Sequence, residues 1–449
     1  ADDAVATDTE TGDAASDGVA HDGSPSADVA TADAPDRDED ADALPDDTSG
    51  HPDMVATDTQ PALDASDNFD GSTTGDVADA PDAAAPIRGA VTYEDRPFSA
   101  SGFAAGTVVR PARAVVVELV DALTGERLGE SVTDREGRFA FADPGGTREL
   151  QVRALSAGVV DGLEVEVRDR GRAPKVYVLR SSPFTAADGA NVLLLARAAD
   201  PIGGAMNIVD VTGDAFRFVR RHTAAAAPPL RFSWQQGNPF GCGSCYVSGT
   251  IQLGGGNDDT DEYDDDIILH EIAHYIVHRF SADSSTGGAH RDRLVPPVLA
   301  YGEGLGYFLA SLIRNDPTMV DTFASAVRFI DYEAVTLNGD SRDDFYGTTD
   351  GTVRGDQREE LAAAIMWDAF DPSGDAEPFD TVALGEAAVM RVLLDYIPRR
   401  DRTDVGAPRI DLADFIQGVV CLYPETAAGM QQLANERRYP FRAAPADCP

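Results

Sequence analysis

The first 86 residues contain one aromatic side chain, Phe69, and one basic side chain, Arg37, among roughly two dozen Asp and Glu in a background of Ala, Thr, Ser, Gly and Pro. A stretch so poor in apolar area and so rich in one sign of charge cannot bury enough surface to offset the entropy of ordering it. Residues 1–86 are therefore expected to be a disordered acidic tail, a self-repelling spacer ahead of a folded body. The tail holds about half of the formal charge of −42 carried by the 449-residue chain. That sign argues against nucleic acid as a partner, because a phosphate backbone calls for Lys and Arg in excess.

After Pro86 the texture changes to short runs of alternating apolar and polar residues, at 87–93, 114–120, 128–133, 138–141, 149–154, 163–167 and 175–179. Thr124-Gly125, Glu136-Gly137 and Asp143-Pro144-Gly145-Gly146 supply the turns between them. Seven such runs within about a hundred residues predict an antiparallel β-sandwich over 87–182. From about Ala186 the period lengthens to that of a helix, at 205–220, 264–280, 297–314, 318–332, 358–370, 384–396 and 412–422. Short strand-like runs at 230–234 and 249–253 make this second part mixed but mainly helical.

Within 264–280 stands Ile268-Leu269-His270-Glu271-Ile272-Ala273-His274, an HExxH pattern. Residues four apart share a helix face, so His270 and His274 can converge on one ion while Glu271 reaches the water beside it. A catalytic ion of this kind takes a third protein ligand and keeps one position open. His278 lies roughly 12 Å along the helix axis from His270, too far to share the ion. A third His six residues after His274 would complete a different pattern, but that position is Phe280. Two residues remain, His290 in a Gly-rich loop and Glu303, the first Glu after Glu271. Glu303 is preferred because it lies on a predicted helix, where Gly302, Gly304 and Gly306 are costly unless another backbone comes close.

Two segments resemble known families. Asp261-Glu-Tyr-Asp-Asp-Asp266 ahead of the motif and Tyr301-Gly-Glu303-Gly after it are similar to the gluzincin branch of the zincin metallopeptidases, in particular secreted bacterial forms. Arg113-Ala-Val-Val-Val-Glu-Leu and Thr133-Asp-Arg-Glu-Gly-Arg-Phe-Ala-Phe resemble the carboxypeptidase-regulatory-like, transthyretin-like sandwich found beside many secreted hydrolases. The likeness implies a multidomain chain: the tail over 1–86, an accessory sandwich over 87–182, and an α+β, mainly helical zincin-like domain over 183–449. It implies a zinc cofactor on His270, His274 and Glu303, with Glu271 as general base in peptide hydrolysis. Two departures stand out: Glu303 follows His274 by 29 residues, a longer interval than in thermolysin-like members, and their Asp four residues after the Glu is here Tyr307. The carboxylate that orients a ligand His is then sought at Asp368, and an oxyanion donor among Tyr301, Tyr307 and Tyr346.

The carboxylates of 257–266 suggest calcium as a second cation, without the spacing of a defined loop. Cys242 with Cys245, and Cys421 with Cys448, form the simplest disulfide pairing and favour an oxidising compartment, extracellular or at the cell envelope. No run approaches the roughly 20 apolar residues of a membrane span, so any attachment is expected through a lipid anchor upstream of residue 1. The competing reading is a catalytically silent surface binding protein that keeps a zincin-like domain.

Overall fold

The alternation along the first half of the body becomes strands whose buried residues repeat at every second position. In β1 (Ile87–Asp95) residues 87, 89, 91, 93 and 95 point inward, and β8 (Leu150–Val160) keeps the same period over eleven residues. The computed structural model describes residues 87–448 except 187–189, 258, 283, 289, 291–293, 324–325, 336–356, 373–377, 400–408 and 441–447. The expected tail and Tyr346 lie outside the described residues.

Between β1 and β8 run the short pair β2 (Phe98–Ser99) and β3 (Gly102–Phe103), then β4 (Val108–Pro111), β5 (Val115–Asp121), β6 (Arg127–Val132) and β7 (Arg138–Phe141). After β8 come β9 (Leu163–Arg168), β10 (Val178–Arg180) and β11 (Asn191–Ala196). All seven alternating runs thus become strands. One sheet pairs β1 with β11 in parallel and with β4 and β7 antiparallel. β11 falls where the sequence reads as mainly helical; its apolar residues alternate, with Val192, Leu194 and Ala196 inward.

The second sheet continues past residue 182. β12 (Leu230–Ser233) lies parallel to β9, and β14 (Thr250–Gln252) parallel to β12, with β13 (Cys245–Val247) antiparallel at the rim. The resulting order is β13-β14-β12-β9-β8-β5-β6, with β10 also paired to β8. One sheet therefore crosses the position where the sequence suggests a domain boundary. Helix α1 (Pro201–Arg220), begun by a proline that suits a first helical turn, covers β8 and β9. A single buried cluster runs from Ile87 in β1 to Tyr439 near the C-terminal end.

The remaining elements surround two helices, α2 (Asp265–Phe280) and α3 (Pro297–Arg314). On α2, Ile268, Ile272 and Ile276 are essentially inaccessible, and burial of each contributes about 1.5–3 kcal/mol. Residues 318–332, which read as a helix, instead form the antiparallel hairpin β15 (Thr318–Phe323) and β16 (Ala326–Asp331). Thr318, Val320, Thr322, Val327 and Ile330 are β-branched and disfavour a helix. Acids at the N-terminus of α2, where a helix end favours negative charge, hold that hairpin extended. Asp264 Oδ2 accepts from Thr322 N at 2.9 Å, and Asp266 Oδ2 accepts from Val320 N at 2.8 Å. Arg314 on α3 pairs with Asp266, so the first turn of α2 is tied to both neighbours.

The chain continues through α4 (Glu359–Phe370) and α5 (Glu386–Arg391), which runs through a π-helical turn, Val392–Tyr396, into α6 (Ile397–Arg399). It ends in α7 (Leu412–Leu422) and α8 (Ala427–Glu436). Disulfides join Cys242 to Cys245 and Cys421 to Cys448, the pairs expected from the sequence. Among the described residues no helix is long and apolar enough to cross a membrane.

Candidate metal centre

α2 and α3 pack side by side and bring His270, His274 and Glu303 together, although the third follows the second by 29 residues along the chain. His270 Nε2 is 3.2 Å from Glu303 Oε2 and 3.2 Å from His274 Nε2, and His274 Nε2 is 3.4 Å from Glu303 Oε2. A tetrahedral zinc with bonds of about 2.0–2.1 Å has ligand-to-ligand edges of about 3.3–3.4 Å, so the three donors are spaced as the edges of one face of such a site. Two imidazoles and one carboxylate are also the donor types that zinc takes. Burial pushes Glu303 upward, but the imidazoles of His274 and His270 outweigh it and hold the carboxyl well below its usual range.

Close approach of the helices depends on the glycines around Glu303, and each of the three faces something different. A Cβ at Gly306 would stand 2.7 Å from Cε1 of His270. At Gly304 it would meet the backbone of Glu359 on α4 at 2.6 Å, and at Gly302 the Cβ of Ser285 at 2.9 Å. Of the three, Gly306 faces the HExxH helix, Gly304 faces α4 and Gly302 faces the segment after α2.

Glu271 lies beside the ligands, 5% exposed, and its Oε2 has no hydrogen-bond partner among the described residues. Burial raises its pKa, Glu303 adds to the effect, and the neighbouring histidines oppose it. A buried carboxylate oxygen left open beside three metal-type donors suits a water at that position. His270 Nδ1 is likewise buried and unpartnered. The ring of Tyr307 packs on His270 at 4.4 Å between centroids, where the resemblance would place a carboxylate.

His290, the other candidate third ligand, is not a member of the donor triangle. Its Nε2 is 3.5 Å from Glu303 Oε2, and its Nδ1 lies 2.8 Å from Glu359 Oε2. Burial lowers His290, but the hydrogen bond to Glu359 prevails and raises it; the same bond lowers Glu359 against its own burial. The pair forms a charge-assisted hydrogen bond that holds the imidazole with Nε2 toward Glu303.

The remaining candidates fall elsewhere. Asp368 is ion-paired with Arg437 at 2.8 Å, nine residues along α4 from Glu359, so the carboxylate that orients a site imidazole is Glu359 instead. Tyr307 turns its hydroxyl to Glu359 at 3.3 Å and accepts from Arg328 at 2.9 Å, inside the core. Tyr301, two residues from Glu303, lies on the opposite side of α3 and is buried there. His278, too far along α2 to join the triangle, meets the Tyr246 hydroxyl at 2.7 Å. Of the 257–266 segment, Asp259 and Asp261 join Asp321 of β15 in a second group whose oxygens lie within 4.8 Å of one another; it is a cluster of carboxylates, with Ser244 donating to Asp261.

Glu359 and Arg328 are the site residues that the sequence did not reveal. Arg358-Glu359-Glu360 ahead of an apolar run reads as ordinary acidic residues in a first helical turn. No protein-family model matches the chain, and no curated protein is significantly similar to it.

Proposed function

We propose that the chain is a zinc metalloendopeptidase of gluzincin type, exported or tethered at the cell surface, with an accessory sandwich and a zincin-like catalytic part. The observation that carries this reading is the triangle of His270 Nε2, His274 Nε2 and Glu303 Oε2, with edges of 3.2–3.4 Å beside the open oxygen of Glu271. Bound there, zinc would acidify a water and polarise the scissile carbonyl. Glu271 takes the water's proton on Oε2 and returns it to the leaving amine, a role suited to a carboxyl whose pKa is raised by burial. His290, its Nδ1 anchored by Glu359, is placed to donate from Nε2 to the carbonyl oxygen as charge develops on it. β13 forms the rim of its sheet against α2, and an extended peptide can add to such an edge. The two disulfides support an oxidising compartment.

The test is zinc content together with hydrolysis of a broad peptide library by wild type and Glu271→Gln. One zinc in each protein with cleavage by wild type alone upholds the proposal. Zinc in both with cleavage by neither favours a silent binding protein, and absence of zinc removes the centre.

A further inference from the structure

Arg328 on β16 is 1% exposed, within reach of the metal centre but outside the motif and both ligand helices. It donates from Nη1 to the Tyr307 hydroxyl at 2.9 Å and from Nη2 to Glu360 Oε1 at 2.8 Å and Glu359 Oε1 at 3.5 Å. Two of these acceptors touch the site on their other side. Tyr307 packs its ring on His270, and Glu359 accepts from His290 through Oε2. The Tyr307 hydroxyl also donates to Glu359 Oε1 at 3.3 Å, so that oxygen is fixed twice and Oε2 is left pointing at His290.

Desolvating a guanidinium is expensive, and an apolar side chain would fill the same space at lower cost if packing were its only task. A planar fork, by contrast, can hold several acceptors in one geometry. We propose that Arg328 is a positioning residue that sets the plane of His270 through Tyr307 and the aim of His290 through Glu359. The brace joins the β15–β16 hairpin to the histidines of the centre. Its effect on turnover rests on the peptidase reading, whereas its effect on the His290 ring does not.

The test is Arg328→Lys, which keeps a cation but not the fork. Zinc stoichiometry and KM are expected to hold while kcat falls about tenfold or more, in the range typical of residues that orient a site from behind. In a His290→Gln background the same substitution is expected to lose most of its effect on kcat, because one of the two groups it aims is gone and only the link through Tyr307 to His270 remains. Full multiplication of the two losses overturns the proposal, since a general structural defect would act whether or not His290 is present. A second readout needs no activity: the proton on His290 Nδ1, followed by NMR at one pH in metal-free protein and assigned with His290→Gln. Its hydrogen-bonded signal is expected in wild type and weakened in Arg328→Lys, with the signal of His222, whose Nε2 lies 2.7 Å from Glu386 Oε1, unchanged. An unchanged His290 signal overturns the brace even if the protein proves not to be a peptidase. Should Arg328→Lys not fold, Tyr307→Phe removes one link of the same brace and is read against the same two outcomes.

Discussion

A Cβ on residue 306 would lie 2.7 Å from Cε1 of His270, so the imidazole of the first proposed ligand occupies space that only a glycine on α3 leaves open. Overpacking of this kind costs about 1–3 kcal/mol. In Gly306→Ala the strain falls on the His270 ring, and zinc affinity is expected to drop by about ten- to a hundredfold. Tyr307→Phe next to it keeps the ring on His270 and loses only the hydroxyl bonds to Glu359 and Arg328. Zinc affinity should therefore hold while kcat falls about tenfold. Competitive zinc titration with a chromogenic chelator separates the two, and equal zinc loss in both variants would rule out this division of roles.

His290 and Glu303 are assigned different tasks, and paired variants distinguish them. Glu303→Gln removes a charged donor from the triangle and is expected to weaken zinc by at least about a hundredfold. His290→Gln leaves the triangle intact, so zinc content should remain near one per chain while kcat falls by about a hundredfold, the usual loss for one oxyanion donor. Loss of zinc in His290→Gln would make it a ligand.

Much of this centre could be read from the chain because its parts are local. The four-residue spacing of His270 and His274, the Glu between them, and a glycine-flanked Glu on the next apolar helix need only helical geometry. Glu359 and Arg328 were missed because their roles exist only after β16, α3 and α4 pack, and no spacing along the chain encodes that. The hairpin at 318–331 was misread for a related reason. Its inner strand is buried at four successive positions, 319–322, where the two-residue period that marks a half-exposed strand is lost. The continuity of the large sheet past residue 182 was also illegible, since the partner of β9 begins more than sixty residues later, after α1.

The acids at the head of α2 set a pH dependence whose sign follows from their burial. Desolvation pushes Asp264 up to about 8 and Glu262 and Asp265 up to about 7. A carboxyl raised in the folded state stabilises the fold below its unfolded pKa, and that contribution is lost as pH rises through the folded value. Metal-free protein should therefore lose stability from about pH 5 to pH 8, by about 1 kcal/mol per pH unit for each group in its titrating range. Glu303 and Glu359, which are lowered, act in the opposite sense, but their window lies below pH 4.5. Asp264→Asn keeps an oxygen for Thr322 and should flatten the curve while raising stability at pH 8. Denaturant midpoints across that range in chelator decide it, and a curve that rises toward pH 8 would contradict the reading.

The two disulfides should differ in what their loss does. Cys421–Cys448 closes a loop with a sequence separation of 27, worth about 3–4 kcal/mol by chain entropy, whereas the separation of 3 at Cys242–Cys245 gives roughly 2 kcal/mol. Paired Cys→Ser variants are expected to lower the unfolding midpoint in that order. Activity should not follow stability for the C-terminal pair. Arg437, just past α8, holds Asp368 of α4 at 2.8 Å with both side chains buried, and α4 carries Glu359. This ion pair fastens the C-terminal helices to the helix behind the site independently of the disulfide. At temperatures well below the midpoint, Cys421→Ser with Cys448→Ser should keep wild-type kcat, while adding Arg437→Met to it should lower kcat by loosening α4. Unchanged kcat in that triple variant would show that Glu359 needs no support from the C-terminal end.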